Sequence, residues 1–229
     1  MNGVRECKTR ANLNSINRAD TELVIWKRYF STEFKDWINN VRADNLPDFR
    51  ILINPSELWR AIEPLLDLCD LKAGGLQNKL ISDINSLVIK FAEITQRNTV
   101  DVRLQGIRND SCWKFHRDVV KTRLLTTYRG PATEWVKPEY SEQAIADQLS
   151  YRGPIEQLGE GDVAIFKGSF TTPSSGIVHR SPSIAGTGVT RLLLCLNERT
   201  DTSPHPWTED NAGIPYKEVM KSNEILSLS

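Results

Sequence analysis

Trp113-Lys-Phe-His-Arg-Asp118 sets an imidazole and a carboxylate two residues apart in a run that reads as β-strand. Side chains two apart on a strand point to the same side, so His116 and Asp118 face one way and Arg117 the other. Two such groups converging from one side of a sheet are half of a metal site. The other half must come from far along the chain, where sources are few: the sequence has 3 histidines, His116, His179 and His205.

The flanking sequence is β-rich. Before the stretch, Val100, Val102, Leu104 and Ile107 open an alternating pattern. After it, Thr122-Arg-Leu-Leu-Thr-Thr-Tyr128 is built of β-formers and stops at Arg129-Gly-Pro131. A polar excursion past Trp135 holds a short helix from about Ser141 to Leu149. Gly161-Asp-Val-Ala-Ile-Phe166 turns into another strand, and the loop Ser169 to Gly176 leads into Ile177-Val-His-Arg180. Val189-Thr-Arg-Leu-Leu-Leu-Cys-Leu196 has the strongest strand character, and a short helix is expected near Tyr216 to Ser222. Short strands with few helices between them predict an antiparallel sandwich or barrel of jelly-roll type, not a doubly wound sheet.

The half before Thr99 reads differently. Leu23, Trp26, Phe30, Phe34, Trp37, Ile38 and Val41 recur at spacings of three and four, which predicts one or two amphipathic helices. Asn54-Pro55-Ser56-Glu57 is a helix start, with asparagine as cap and proline at the first helical position, and the helix should run to Leu68. After Ala73-Gly74-Gly75, the residues Leu80, Ile84, Leu87, Val88, Phe91 and Ile94 mark a further amphipathic helix. The expected organisation is a loose arm over 1–20, a helical region over 21–98 packed on the core, a β core over 99–200 and an extension over 201–229. The fold class is therefore α+β, a jelly-roll core with an N-terminal helical layer.

Lysine plus arginine equals aspartate plus glutamate at 29 each, so net charge gives no reason to expect nucleic acid or an anionic membrane as partner. Cys7, Cys69, Cys112 and Cys195 are scattered without a C-x-x-C pair, as expected of free thiols. No stretch approaches the roughly 20 apolar residues of a membrane span, and the first ten residues lack a secretory pattern. A cytoplasmic location is the expectation.

His179 is the natural third ligand, and two imidazoles with one carboxylate favour non-haem Fe(II) in oxygen-activating sites. Arg191 lies on the next strand, where an inward guanidinium suits a carboxylate; Tyr128 and Thr126 are candidate hydrogen-bond donors to the same carboxylate. His116-x-Asp118, the Gly161-Asp162 strand before His179, and Arg191 after it resemble the Fe(II)/2-oxoglutarate-dependent dioxygenases, whose core is a double-stranded β-helix. The resemblance covers about Val100 to Leu196. It implies His116, Asp118 and His179 as metal ligands and Arg191 as the anchor of the 2-oxoglutarate cosubstrate, with a small-molecule or peptide substrate. Many members carry Ser or Thr two residues after the anchoring arginine; here the position is Leu193, so Thr126 or Tyr128 would have to supply that hydrogen bond. Cys112 to Asp118, Leu124 to Trp135 and Gly176 to Pro182 also look like a bacterial domain-of-unknown-function family, DUF1826, over most of the chain.

Other readings stand beside this one. A cupin-like metalloenzyme with the same ligands and no 2-oxoglutarate, such as a zinc hydrolase, is chemically sound, as is a non-catalytic metal-sensing module. His-x-Asp alone is often a structural pair, and an arginine on a strand is most often a surface or salt-bridged residue. His205, bracketed by prolines, reads as a surface histidine, Trp113 and Trp135 as packing residues, and Arg117 and Arg180 as outward or ion-paired. The loops Arg129 to Arg152 and Ser169 to Gly176 are expected to set the substrate.

Overall fold

The computed structural model of the chain describes residues 3–69, 71, 74–170 and 175–211. The elements in order are β1 (Val4–Cys7), β2 (Leu23–Trp26), α1 (Thr32–Asn40), β3 (Asp48–Ile53), α2 (Leu58–Leu68), α3 (Gly75–Thr95), β4 (Val100–Ile107) and β5 (Thr122–Arg129). They continue with β6 (Glu134–Trp135), α4 (Ser141–Asp147), β7 (Glu156–Gln157), β8 (Val163–Lys167), β9 (His179–Arg180) and β10 (Arg191–Asn197). The expected helix near Tyr216 lies outside the described residues, as does the centre of the loop Ser169 to Gly176.

Among the described residues a large sheet takes the order β1-β2-β8-β5-β10-β4-β3, antiparallel except for the β1–β2 pair, and a small sheet takes the order β7-β6-β9. The fold is thus mixed α+β with a helical layer. The double-stranded β-helix is not established by this topology, because the second sheet consists of two-residue strands.

The two faces of the large sheet have different partners. Alternation turns Leu124, Tyr128, Leu192, Leu194, Leu196, Val102 and Leu104 toward α1, α2 and α3, where they join Phe34, Ile62, Ile84 and Phe91 in the main core. The other face, with Ile25, Leu125, Ala164 and Phe166, meets Trp135, Leu158 and Ile177 in a smaller core beneath the small sheet.

The N-terminal half is less helical than its spacing predicts. Leu23-Val-Ile-Trp26 is strand β2, inserted between β1 and β8 and buried on both faces, with Leu23 and Ile25 in one core and Val24 in the other. A strand covered on both sides loses polar alternation, and its apolar run then blends into the helical spacing that follows. Only α1 realises that spacing. Strand β3, inside the region expected to be helical, pairs with β4 and sends Phe49 and Ile53 into the main core. The later helices form as expected. Asn54 Oδ1 accepts from Ser56 N at 3.0 Å, one 3₁₀ turn over Pro55–Glu57 leads into α2, and α3 buries Leu80, Ile84, Leu87, Val88, Phe91 and Ile94. Within the described residues, no helix is long and apolar enough to cross a membrane.

One polar network is buried between α3 and the large sheet. Arg28 forms a two-pronged ion pair with Asp83, and Tyr128 donates its hydroxyl to Asp83 Oδ2 at 2.6 Å. Thr126 Oγ1 lies 3.3 Å from Arg28 Nη2, and Phe30 stacks on Tyr128 with centroids 5.5 Å apart. Burial, together with the neighbouring Asp83 charge, pushes the Tyr128 phenol well above its ordinary pKa, so it remains a donor. Tyr128→Phe is expected to cost about 2 kcal/mol in urea unfolding, the worth of a hydrogen bond to a charged group, with no effect on metal binding at the opposite face.

Candidate metal centre

The His116 stretch is extended, as expected, but it is not a strand. His116 forms a single antiparallel bridge with His179, with N–H···O distances of 3.0 Å in both directions. The Gln148 side chain takes the place of a neighbouring strand for the preceding residue. Its Oε1 accepts from Phe115 N and its Nε2 donates to Phe115 O, both at 2.9 Å. Extended backbone keeps the two-residue alternation, so His116 and Asp118 still share a side. Arg117 points away, donating to Glu142 at 2.8 Å and to the Gly176 carbonyl at 3.3 Å. On the other half of the bridge, β9 pairs with β6, and the Phe166 ring packs 4.8 Å from that of His179.

Asp118 is held through its backbone. Its carbonyl accepts from Ser169 N at 2.8 Å, and Gly168 N donates to Lys121 O at 3.0 Å, so the chain leaving β8 is pinned to the Asp118 turn. A Cβ on Gly168 would stand 2.3 Å from Val120 O and 2.5 Å from Asp118 O, so glycine is required by this close approach.

His116, Asp118 and His179 offer ligand atoms all within 4.8 Å of one another. His116 Nε2 lies 3.5 Å from Asp118 Oδ1, and His179 Nε2 lies 3.2 Å from Oδ2. Each imidazole turns its other nitrogen to the carbonyl two residues earlier: His116 Nδ1 to Lys114 O at 2.8 Å, His179 Nδ1 to Ile177 O at 3.1 Å. A carbonyl only accepts, so Nδ1 carries the hydrogen on both rings, and a neutral ring then presents its Nε2 lone pair to the carboxylate. Two lone pairs facing an anion repel unless a cation stands among them. Backbone support of this kind at Nδ1 is what fixes the tautomer of metal-ligating histidines.

The local electrostatics favour a cation. Burial opposes ionisation of Asp118, but its polar contacts with His116 and His179 and the charge of Arg123 outweigh it and hold the carboxyl well below its usual range. Asp118 in turn raises His116 against the effect of burial. Asp118 Oδ2 lies 2.6 Å from Arg123 Nη1 yet is left without a hydrogen bond of good geometry, an unsatisfied buried acceptor beside two open imidazole nitrogens.

Arg191 is fully buried. Its Nε donates to Pro131 O at 2.7 Å, its Nη1 donates to Ser181 Oγ at 3.0 Å, and its Nη2 is buried with no partner. Desolvation pulls its pKa down to about 10, as expected of a cation that lacks a facing carboxylate. Ser181, His116 and His179 all line a cavity of about 770 Å³, so the orphaned guanidinium sits one hydrogen bond behind the wall of the chamber that holds the imidazoles.

The other expected residues part company. Thr126 and Tyr128 lie on the opposite face of the large sheet, committed to Arg28 and Asp83, and are not brought to the metal centre; the reason is parity, since β5 sends Arg123 and Leu125 to the cavity and the even-numbered residues away. Leu193 lines the cavity, and His205 is exposed in a loop outside the triad. Trp135 packs in the smaller core, and Arg180 pairs with Glu134 at 2.7 Å, both as expected. Arg123, Gln148 and Ser181 were not among the residues expected at the site. Arg123 had a weak signal, being two residues from Leu125 on a strand that alternates, while Gln148 and Ser181 act through contacts that no local pattern encodes.

The family model described as "Protein of unknown function (DUF1826)" matches residues 8–197. Among solved structures the chain is similar to the dioxygenase for auxin oxidation of rice, with 9% identity over 95% of this chain and 90% of that chain and a TM-score of 0.44. It is also similar to a C-terminally truncated protein of Neurospora crassa in its apo form, with 13% identity over 83% and 86% and a TM-score of 0.41. A third likeness is to a prolyl-4-hydroxylase of Pseudomonas putida, with 9% identity over 83% and 99% and a TM-score of 0.40. No curated protein matches the chain.

Two outcomes test the centre. His179→Ala is expected to weaken divalent-metal binding, read by equilibrium dialysis, by more than roughly 100-fold, exceeding the loss seen when only a ligand's supporting contacts are changed. Gly168→Ala leaves all three donors in place but forces the Asp118 turn aside, so it should weaken binding by roughly 10- to 100-fold, the range for indirect support; unchanged affinity would show that the turn does not position Asp118.

Proposed function

The chain belongs to the DUF1826 family, and from the chemistry of its buried centre we propose that it is a non-haem Fe(II) oxygenase that uses 2-oxoglutarate as cosubstrate. The observation that carries this reading is the pairing of an open His-Asp-His donor set with a fully buried arginine whose Nη2 has no partner. A facial set of two imidazoles and a carboxylate suits Fe(II) with vacant positions. A buried guanidinium nitrogen without a partner is costly unless an anion meets it. On this reading the two facing sheets are a flattened version of the double-stranded β-helix.

His116, Asp118 and His179 would hold the ion through Nε2, a carboxylate oxygen and Nε2. Bound there with 2-oxoglutarate, Fe(II) supplies oxidative decarboxylation of the cosubstrate by O₂ to succinate and CO₂, coupled to insertion of the second oxygen atom at a substrate carbon. The chain's own groups divide the remaining work. Arg191 offers Nη2 to the distal carboxylate, and the Ser181 hydroxyl, already fixed by Nη1, takes the place that Leu193 leaves without a hydroxyl. Arg123 neutralises the outer side of Asp118 and is itself held by Asn197 Oδ1 at 2.7 Å. Leu125 and Leu193 give the cavity lining an apolar strip.

Anaerobic reconstitution with Fe(II) followed by 2-oxoglutarate titration should develop a metal-to-ligand charge-transfer band. The band should vanish in His179→Ala. In Arg191→Ala it should require roughly 30-fold or more cosubstrate, the equivalent of about 2 kcal/mol for removing one partner of a buried charge pair. Folded, iron-loaded protein that gives no band, or zinc retained with no 2-oxoglutarate binding, would refute the assignment.

A further inference from the structure

The same cavity carries a second feature, toward the β3–β4 edge of the sheet and away from the metal centre. Five arginines line it, and four are neutralised. Arg50 pairs with Asp101 at 2.6 Å, Arg108 with Asp44 at 2.5 Å, Arg123 with Asp118 at 2.6 Å and Arg180 with Glu134 at 2.7 Å. The fifth is Arg103 on β4. Among the described residues its guanidinium has no hydrogen-bond or ion-pair partner, and it is exposed to the cavity.

Its placement is unusual for a sheet. Arg103 stands directly opposite Arg50 in the β3–β4 register, on the same face, where like charges repel. Asp101 pairs with Arg50, and Asp48 on the same face accepts from Gln105 Nε2 at 3.4 Å, so Arg103 is the arginine of this group without an ion-pair partner among the described residues. On its other side Arg103 is opposite Cys195, and Cys195 is opposite Leu125 on β5. Reading across β4, β10 and β5, the cavity floor thus runs from an unpaired guanidinium over Cys195 and the neighbouring Leu193 to Leu125, beside Arg123, the residue that touches Asp118. Two interstrand spacings separate β4 from β5, about 10 Å.

We propose that this floor is a binding site for an elongated organic acid, with its anionic head on Arg103 and its apolar middle along Cys195, Leu193 and Leu125, so that its other end lies at the metal centre. A single unpaired cation at one end of an apolar strip selects a monoanion with a hydrocarbon body over a neutral polar molecule or a polyanion. The oxygenase reading is needed only for the fate of the far end, oxidation of a carbon distant from the carboxylate; the anion site stands on its own geometry.

The test uses octanoate and its uncharged counterpart octanamide, bound anaerobically to the protein loaded with Fe(II) and 2-oxoglutarate and, separately, to the metal-free chain. Octanoate should bind about fivefold to tenfold more tightly than octanamide, the size expected of one exposed ion pair, and Arg103→Gln should abolish that preference while leaving the 2-oxoglutarate band unchanged. Arg103→Lys should retain part of the preference. In the wild-type chain, octanoate but not octanamide should shift the Arg103 Nε–Hε resonance, a readout that needs no variant. Equal binding of the two probes, a preference that survives Arg103→Gln, or an unmoved Arg103 resonance at saturation overturns the anion site. An absent 2-oxoglutarate band with the Arg103-dependent preference intact upholds the anion site and overturns only the oxygenase assignment.

Discussion

The centre depends on one constraint: the carbonyls of Lys114 and Ile177 each face the Nδ1 of the histidine two residues on, and the two histidines are tied back to back by a single bridge. The carbonyls choose the tautomer, and the bridge sets the separation of the rings, whose centroids are 4.6 Å apart. Both Nε2 atoms are thereby fixed on Asp118 before any ligand arrives. Preorganisation of this kind comes from backbone geometry, so it needs only short extended segments and no long strand.

The supports of that geometry come from widely separated parts of the chain. Gln148, at the end of α4, holds the segment before His116; the chain leaving β8 at Gly168 holds Asp118; and Arg117 ties the segment to Glu142 and Gly176. The polar excursion between β6 and β8 is therefore a scaffold for the ligands.

The large sheet separates two kinds of buried charge. On its helical face Arg28, Asp83 and Tyr128 satisfy one another and act as a structural clamp. On its cavity face the buried charges are incompletely matched: Asp118 has an oxygen without a hydrogen bond, and Arg191 has a nitrogen without one. Since buried polar groups are as a rule satisfied, the contrast between the faces marks the cavity side as the one shaped for ligands.

His116, Asp118 and His179 were legible in the sequence because alternation survives wherever backbone is extended, whether or not a full strand forms. The amphipathic segments of α2 and α3 were legible for the same local reason, a period of 3.6 written over many residues. Strand β2 was not, because burial on both faces erases the polar alternation that distinguishes a strand from part of a helix. Thr126 and Tyr128 show the limit most clearly: their hydroxyls suit a carboxylate, but the parity of β5 sends them to Asp83 and Arg28. The sequence by itself singled out His116, Asp118 and His179 as a candidate donor set and left open whether Arg191 turns inward, which its burial in the structure answers. Only the tertiary structure decided that Ser181 is its companion, that Arg123 meets Asp118, and that Arg103 is left unpaired, because each depends on strand register and on contacts between segments far apart in the chain.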